Sequence, residues 1–318
     1  MNFKRIIEIV SIGIFIFVLW KFFQMPIDWG VFYKIEIATL SIIVIGMIIV
    51  RIIWILQWKI MQDKLSKVSF KDSILISFST LYLLYFPLRV GQFLMRMYLF
   101  KERGIPYKDS GASLFAQFIL AFVFMSLTLP LLIFFIPTEY IQSFISNNFK
   151  FLILMFILVV VVIALLKIRK GLHNLFDNLL TKLLNKSASN EAIKRNFREL
   201  RDNVKYLMFN KKLLIKVNIF FVIGYLIYFY LMSLLWNDMG HDISFILLML
   251  IFFVSYVIGF ISQVPNGLGT QETSYAYLLS LVGISFEIAL IVGFIWRFIG
   301  VVMDLGISGI ANLIRKHY

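Results

Sequence analysis

The 318-residue chain is 61% apolar and only 15% charged, with a mean hydropathy of +0.90. Soluble domains are about 45–50% apolar and about 25% charged, so a soluble globular domain is excluded, and so is a disordered chain. Lys and Arg number 31 against 17 Asp and Glu, a formal net charge of +14, and the absence of cysteine excludes disulfides, thiolate metal sites and a cysteine nucleophile.

A membrane-spanning helix needs about 20 mostly apolar residues. Taken in chain order, residues 6–24 and 35–56 meet that need. Residues 72–98 form an apolar run broken at Phe86-Pro87. Residues 109–136, 150–167 and 213–236 qualify as spans. Residues 243–281 form a long run broken at Val264-Pro265-Asn266-Gly267, and 285–312 close the series. The pattern predicts an all-α polytopic membrane bundle, with about six full spans and two re-entrant, broken helical hairpins. No cleavable leader is expected, because no small-residue cleavage site follows the first apolar run before Asp28.

Loop charges set the expected orientation. Residues 57–71, 99–108 and 167–216 are basic, the last with thirteen Lys/Arg against four acids. Residues 137–149 hold Glu139 and no Lys or Arg, and 237–242 hold Asp238, His241 and Asp242. By the positive-inside rule both termini and the basic loops are cytoplasmic, in a plasma membrane. Most of the positive charge is then topological, and no nucleic-acid partner is needed. Basic loops on both sides of 72–98 imply a segment that returns to its own face at Pro87. The outward start of 243–281 and the inward run of 285–312 imply the same at Pro265.

The two broken runs resemble each other. Pro87-Leu88-Arg89-Val90-Gly91 and Pro265-Asn266-Gly267-Leu268-Gly269 each carry Gly four residues after Pro. Gly104-Ile105 then matches Gly283-Ile284, 17 and 18 residues from the prolines. Residues 72–136 and 243–312 thus read as two copies of one unit with opposite orientation, an inverted repeat within a single membrane domain. Coincidence of two short motifs is the competing reading. Helix starts after the breaks would aim amide hydrogens at the protein's middle, where an anion fits.

Charged side chains inside apolar runs mark candidate sites. Arg89, Gln92 and Arg96 share one helix face, and Arg297 and Asp304 share another. Glu272 lies in the second hairpin, near Gln271 and the break residues Asn266, Gly267 and Gly269. The functional reading places Arg89, Arg96 and Arg297 around a phosphate, with Glu272 holding an arginine or exchanging a proton. The structural alternatives are a Glu272–Arg297 bridge that merely locks the repeats, an Arg96 that snorkels to the boundary, and an Asp304 paired within its own helix. Glu8, Arg51 and Glu287 read as interfacial, and Gln117, Gln263 and Gln271 as neutral donors. Residues 171–186 and 191–209 form an amphipathic hairpin within 167–212, suited to an anionic leaflet or to capping the bundle. His173, His241 and His317 lie outside the apolar runs, so neither a metal nor a cofactor is expected.

These residues resemble the transmembrane region of the lysylphosphatidylglycerol synthase family, also described as flippase-like membrane proteins. The resemblance rests on Pro87-x-Arg89-x-Gly91 with Arg96, Gly104-Ile105-Pro106, Pro265-x-Gly267-Leu268-Gly269-x-x-Glu272, and Arg297. It departs where the family usually has Glu and this chain has Gln92, where a Glu-Arg pair is replaced by Gln117-Phe118, and where Arg is replaced by Gln271. The resemblance implies translocation or presentation of a phospholipid or polyprenyl-phosphate-linked lipid, with an anionic-headgroup lipid as the partner molecule. A glycolipid-pathway enzyme is a further implied partner. The last apolar run ends near Tyr318, so aminoacyl transfer by a joined synthase domain is not expected. The alternatives are an accessory subunit of an envelope glycosyltransferase and a membrane enzyme using Glu272 as general base.

Overall fold

The computed structural model describes residues 29–85, 90–133, 191–261, 267 and 269–317. Every regular element among them is helical. A 3₁₀ turn at Trp29–Lys34 leads into α1 (Ile37–Gln62). Then come α2 (Phe70–Ser79), a 3₁₀ turn at Leu81–Tyr85, α3 (Val90–Glu102) and α4 (Tyr107–Ile133). The second half holds α5 (Glu191–Phe209), α6 (Lys211–Asp238), α7 (Phe245–Ile261), α8 (Thr270–Ser280) and α9 (Phe286–Lys316).

Four of these helices are long and apolar enough to cross a membrane: α1, α6, α9 and the stretch Tyr107–Leu129 of α4. They correspond to four of the six spans expected from sequence. The other two, 6–24 and 150–167, lie outside the described residues, as do Pro87, Arg89, Pro265, Asn266, Gln263 and the first arm, 171–186, of the amphipathic hairpin. Both broken runs hold short helices on either side of the break. α2 and α3 have 10 and 13 residues, and α8 has 11, each too short to cross about 30 Å at 1.5 Å per residue.

The matched Gly-Ile pairs end their helices in the same way. Gly104 has φ 81° and Gly283 φ 91°. The Gly104 amide donates to Lys101 and the Ile105 amide to Phe100; the Gly283 amide donates to Ser280 and the Ile284 amide to Leu279. That is one bond pattern, the Schellman motif, which needs a left-handed residue at its turn and therefore favours glycine. The next long helix follows each time, with Ser285 capping α9 through the Ile288 amide at 3.2 Å.

α9 organises the described fold. Its first half packs on α8 and its second half on α2 and the Leu81–Tyr85 turn. Ser308 and Asn312 of α9 both donate to the Ser79 carbonyl that ends α2, at 3.0 and 2.9 Å. α1 lies along α6, where Gly46 leaves space for the Leu231 side chain and Gly224 for Trp54. Small residues at such crossings let backbones approach in the absence of a hydrophobic drive between helices. α5 docks on the start of α4 through a Lys108–Glu199 ion pair and an Asn203-to-Asp109 hydrogen bond of 2.9 Å. It buries Val204 and Leu207 but leaves Phe197, counted in its apolar face, 42% exposed.

α7 and α8 run side by side, and their contact is tightest at Gly259. A Cβ placed there would lie 3.0 Å from Cβ of Gln271 and 3.4 Å from Cα of Gly267. Gly259→Val should therefore push α8 away and cost about 1–3 kcal/mol, as overpacking does. A lowered unfolding midpoint in detergent would show this. The same change at Gly300, which faces open space, should leave the midpoint unchanged.

Candidate functional site

A cavity of about 280 Å³ opens between the short helices α3 and α8 and the long helices α1, α4, α6 and α9. Polar side chains reach it from both broken runs: Gln92 and Arg96 on α3, Gln271 and Glu272 on α8. Gln117 of α4, Arg51 and Gln57 of α1, and Arg297 of α9 complete the polar part. The apolar part is rich in aromatic rings, among them Trp54, Tyr225, Tyr228 and Trp296. The Trp296 indole donates to the Tyr228 hydroxyl at 2.5 Å, and the rings of the two residues meet edge to face at 5.0 Å.

Glu272 is the third residue of α8 and is buried, with 3% exposure. Its Oε2 accepts from the Gly269 amide at 2.7 Å, so the carboxylate caps its own helix. Gly269 has φ 81°, a backbone that a residue with a side chain adopts at a cost. Oε1 meets Arg297 Nε at 2.5 Å, while Arg297 Nη2 donates to Gln271 Oε1 at 2.7 Å. The side chains of α8 thus hold Arg297 from two sides. Gly293, one turn earlier on α9, faces Tyr275 and Glu272 and lets α8 come this close. The Gly269 amide at the start of α8 is taken by the chain's own carboxylate, so an anion at that helix start would find this donor already used. Gln271 was expected as a donor, and here its amide oxygen accepts.

The second ion pair was not expected. Asp304 is fully buried and takes Arg51 of α1 in a two-pronged bridge. Arg51 Nε lies 3.1 Å from Oδ1 and Nη2 lies 2.7 Å from Oδ2. The guanidinium also sits over the Trp54 ring, 5.4 Å from its centroid. Arg51 read as interfacial because the apolar run was taken to end at residue 56. α1 continues to Gln62, burying Trp58 and Met61, and that places Arg51 well inside the helix.

Arg96 does not snorkel. It is 7% exposed, stacks at 4.8 Å on Trp58, and donates from Nη2 to Ser77 Oγ at 2.9 Å. Its Nε has no acceptor. Trp58 is held in turn by Ser113, whose hydroxyl donates to Gln62 at 2.6 Å. Gln117 donates to the Trp54 carbonyl at 2.9 Å and to Gln57 at 3.1 Å. Gln57 passes the chain on to the Val217 carbonyl at 3.1 Å.

Of the sequence-derived candidates, then, the cavity brings together Gln92, Arg96, Gln271, Glu272 and Arg297. Gly269 caps α8 behind them, Gly267 is buried against Gly259, and Gly91 is buried in α3. Glu287 is exposed in the first turn of α9. Sequence reasoning missed Arg51, Gln57 and Ser77. For Arg51 the signal was present, an arginine inside an uninterrupted apolar helix. No group of three or more metal-ligating side chains occurs among the described residues.

Removing one partner of a buried ion pair strands the other charge and costs about 3–5 kcal/mol. Asp304→Ala should therefore destabilise the protein by about 3 kcal/mol, the lower end of that range, since Arg51 retains some exposure. The double change Arg51→Met with Asp304→Leu should recover most of the loss, read as unfolding midpoints in one detergent.

No curated protein and no solved structure matches the chain. A family model described as the lysylphosphatidylglycerol synthase TM region matches residues 8–308, which include every cavity-lining residue and all the described helices but the end of α9. The chain belongs to that family, a family of membrane proteins tied to lipid function.

Proposed function

We propose that this protein moves or presents a lipid with an anionic headgroup, the headgroup entering the central cavity while the lipid chains stay in the bilayer. One observation carries the reading: the cavity is lined by three guanidinium groups, Arg51, Arg96 and Arg297, against two carboxylates within reach, Asp304 and Glu272. A positively charged pocket among apolar helices is a setting for a phosphate, and arginine is suited to hold one. The aromatic and amide-bearing walls offer non-covalent contacts to the rest of a headgroup. Both oxygens of Glu272 are engaged by Gly269 and Arg297, which favours a binding role over general-base chemistry. Family membership supports the lipid as the class of substrate.

In this reading the two broken runs are re-entrant hairpins of an inverted repeat in the plasma membrane, with both termini cytoplasmic. Each would expose the cavity to one face in turn, the device of alternating access. The shared Gly-Ile helix ends support the repeat.

Gly300 tests the route. It lines the cavity and has no heavy atom within 4 Å of where a side chain would begin. Gly300→Trp should fill the space without unfolding the helix. In proteoliposomes carrying fluorescent phosphatidylglycerol, the wild type should move lipid between leaflets and this variant should lose at least nine-tenths of the rate, about 1.4 kcal/mol in barrier. Equal rates in the two would refute a route through the cavity.

Topology is testable because the chain has no cysteine. Lys101 and Glu287 are exposed and flank the two matched glycines. Single cysteines at these positions should react with an impermeant thiol reagent from opposite sides of the membrane. Labelling from one side at both would remove the inverted repeat.

A further inference from the structure

The three cavity arginines are not equivalent. Arg51 has Asp304, and Arg297 has Glu272 and the Gln271 oxygen. Arg96 has no carboxylate within ion-pair distance among the described residues. Its contacts are the Ser77 hydroxyl and the Trp58 face, and its Nε is left without an acceptor. A guanidinium this deeply buried is normally paired, because desolvation of an isolated charge is costly. Serine and tryptophan hold the group in place but do not neutralise it.

The neighbour at the helical i−4 position explains why it is open. Gln92 lies one turn before Arg96 on α3, is 6% exposed, and lines the same cavity. A carboxylate at that spacing would sit on the same face and close on the arginine. Glutamine has the same length and cannot. The charge left over in the described cavity is therefore on α3.

We propose that Arg96 receives the phosphate of the lipid headgroup and that Gln92, by being neutral, is the residue that reserves it for an anion. This deepens the reading given under Proposed function and rests on it. The selected lipid carries a headgroup of net negative charge. A cationic amine on the headgroup would meet Arg51 and Arg297 where their carboxylates are already engaged, so such lipids are disfavoured. Selection works here as much by repulsion as by attraction.

The test uses the full-length protein in mixed micelles holding equal amounts of phosphatidylglycerol, phosphatidylethanolamine and lysyl-phosphatidylglycerol. Native mass spectrometry reads which lipid is retained. The wild type should favour phosphatidylglycerol by about tenfold over each of the others, a difference of about 1.4 kcal/mol. Arg96→Gln should bring the ratios near one, and Arg96→Lys should keep most of the preference. Gln92→Glu, isosteric and thus safe for folding, should abolish it as Arg96→Gln does, because the new carboxylate pairs with Arg96. If Arg96→Gln does not fold, Gln92→Glu decides. A wild-type preference that survives both changes would overturn the role of Arg96 and leave the lipid reading standing. A wild type with no preference would overturn the lipid reading itself. Millimolar inorganic phosphate provides the last arm. If it displaces phosphatidylglycerol and alone raises the unfolding midpoint as much, the site belongs to a free anion and the lipid assignment falls.

Discussion

A guanidinium inside an apolar bundle needs a counter-charge, and the way this chain supplies one determines much of its architecture. Arg297 and Asp304 stand seven residues apart on α9, and each reaches to a different element. Arg297 draws in α8 through Glu272 and Gln271, and Asp304 draws in α1 through Arg51. Farther along, Ser308 and Asn312 hold the end of α2. One helix therefore joins arms of both broken runs and the first described span. The two ion pairs place Arg51, Glu272 and Arg297 in the cavity lining.

What sequence could reveal follows from the range of the interactions involved. Helix positions were legible because apolar periodicity is local. The Glu272–Arg297 bridge was legible as one of two alternatives, since two rare charges in apolar runs leave few partners. The Arg51–Asp304 bridge was not legible, because it spans 253 residues and rests on α1 extending beyond its most apolar stretch. The capping of α8 left a mark that was overlooked. Gly269-x-x-Glu272 has the spacing of an N-cap and its third helical residue, and a carboxylate so placed turns back on its own amide.

The two broken runs are alike in backbone and unlike in charge. Their helix ends share the same glycine conformation and the same pair of hydrogen bonds. Yet the second run carries its own carboxylate, Glu272, while the described part of the first offers Gln92 and a lone Arg96 at the cavity. Backbone turns at such ends answer to steric rules that hold for any substrate. Cavity charge answers to the ligand. A cavity with one neutralised wall and one open wall would bind a charged group more firmly on one side than on the other.

That asymmetry bears on stability as well as on binding. A buried, uncompensated arginine works against the folded state, and among the described residues Arg96 is held by Trp58 and Ser77, with Ser113 fixing the indole. Those contacts are rigid and neutral: an indole face, a hydroxyl, and a second hydroxyl that fixes the indole. They orient the guanidinium without neutralising it, which is what a preorganised anion site requires. An anion that binds there relieves the desolvation cost while it gains the interaction. Ligand binding and folding are then linked, with the occupied protein the more stable one. The paired arginines do not share this property, because their counter-charges come with the fold. In the proposed reading, the position of the ligand's charge is decided by where the described cavity lacks a carboxylate, and Gln92 marks that place.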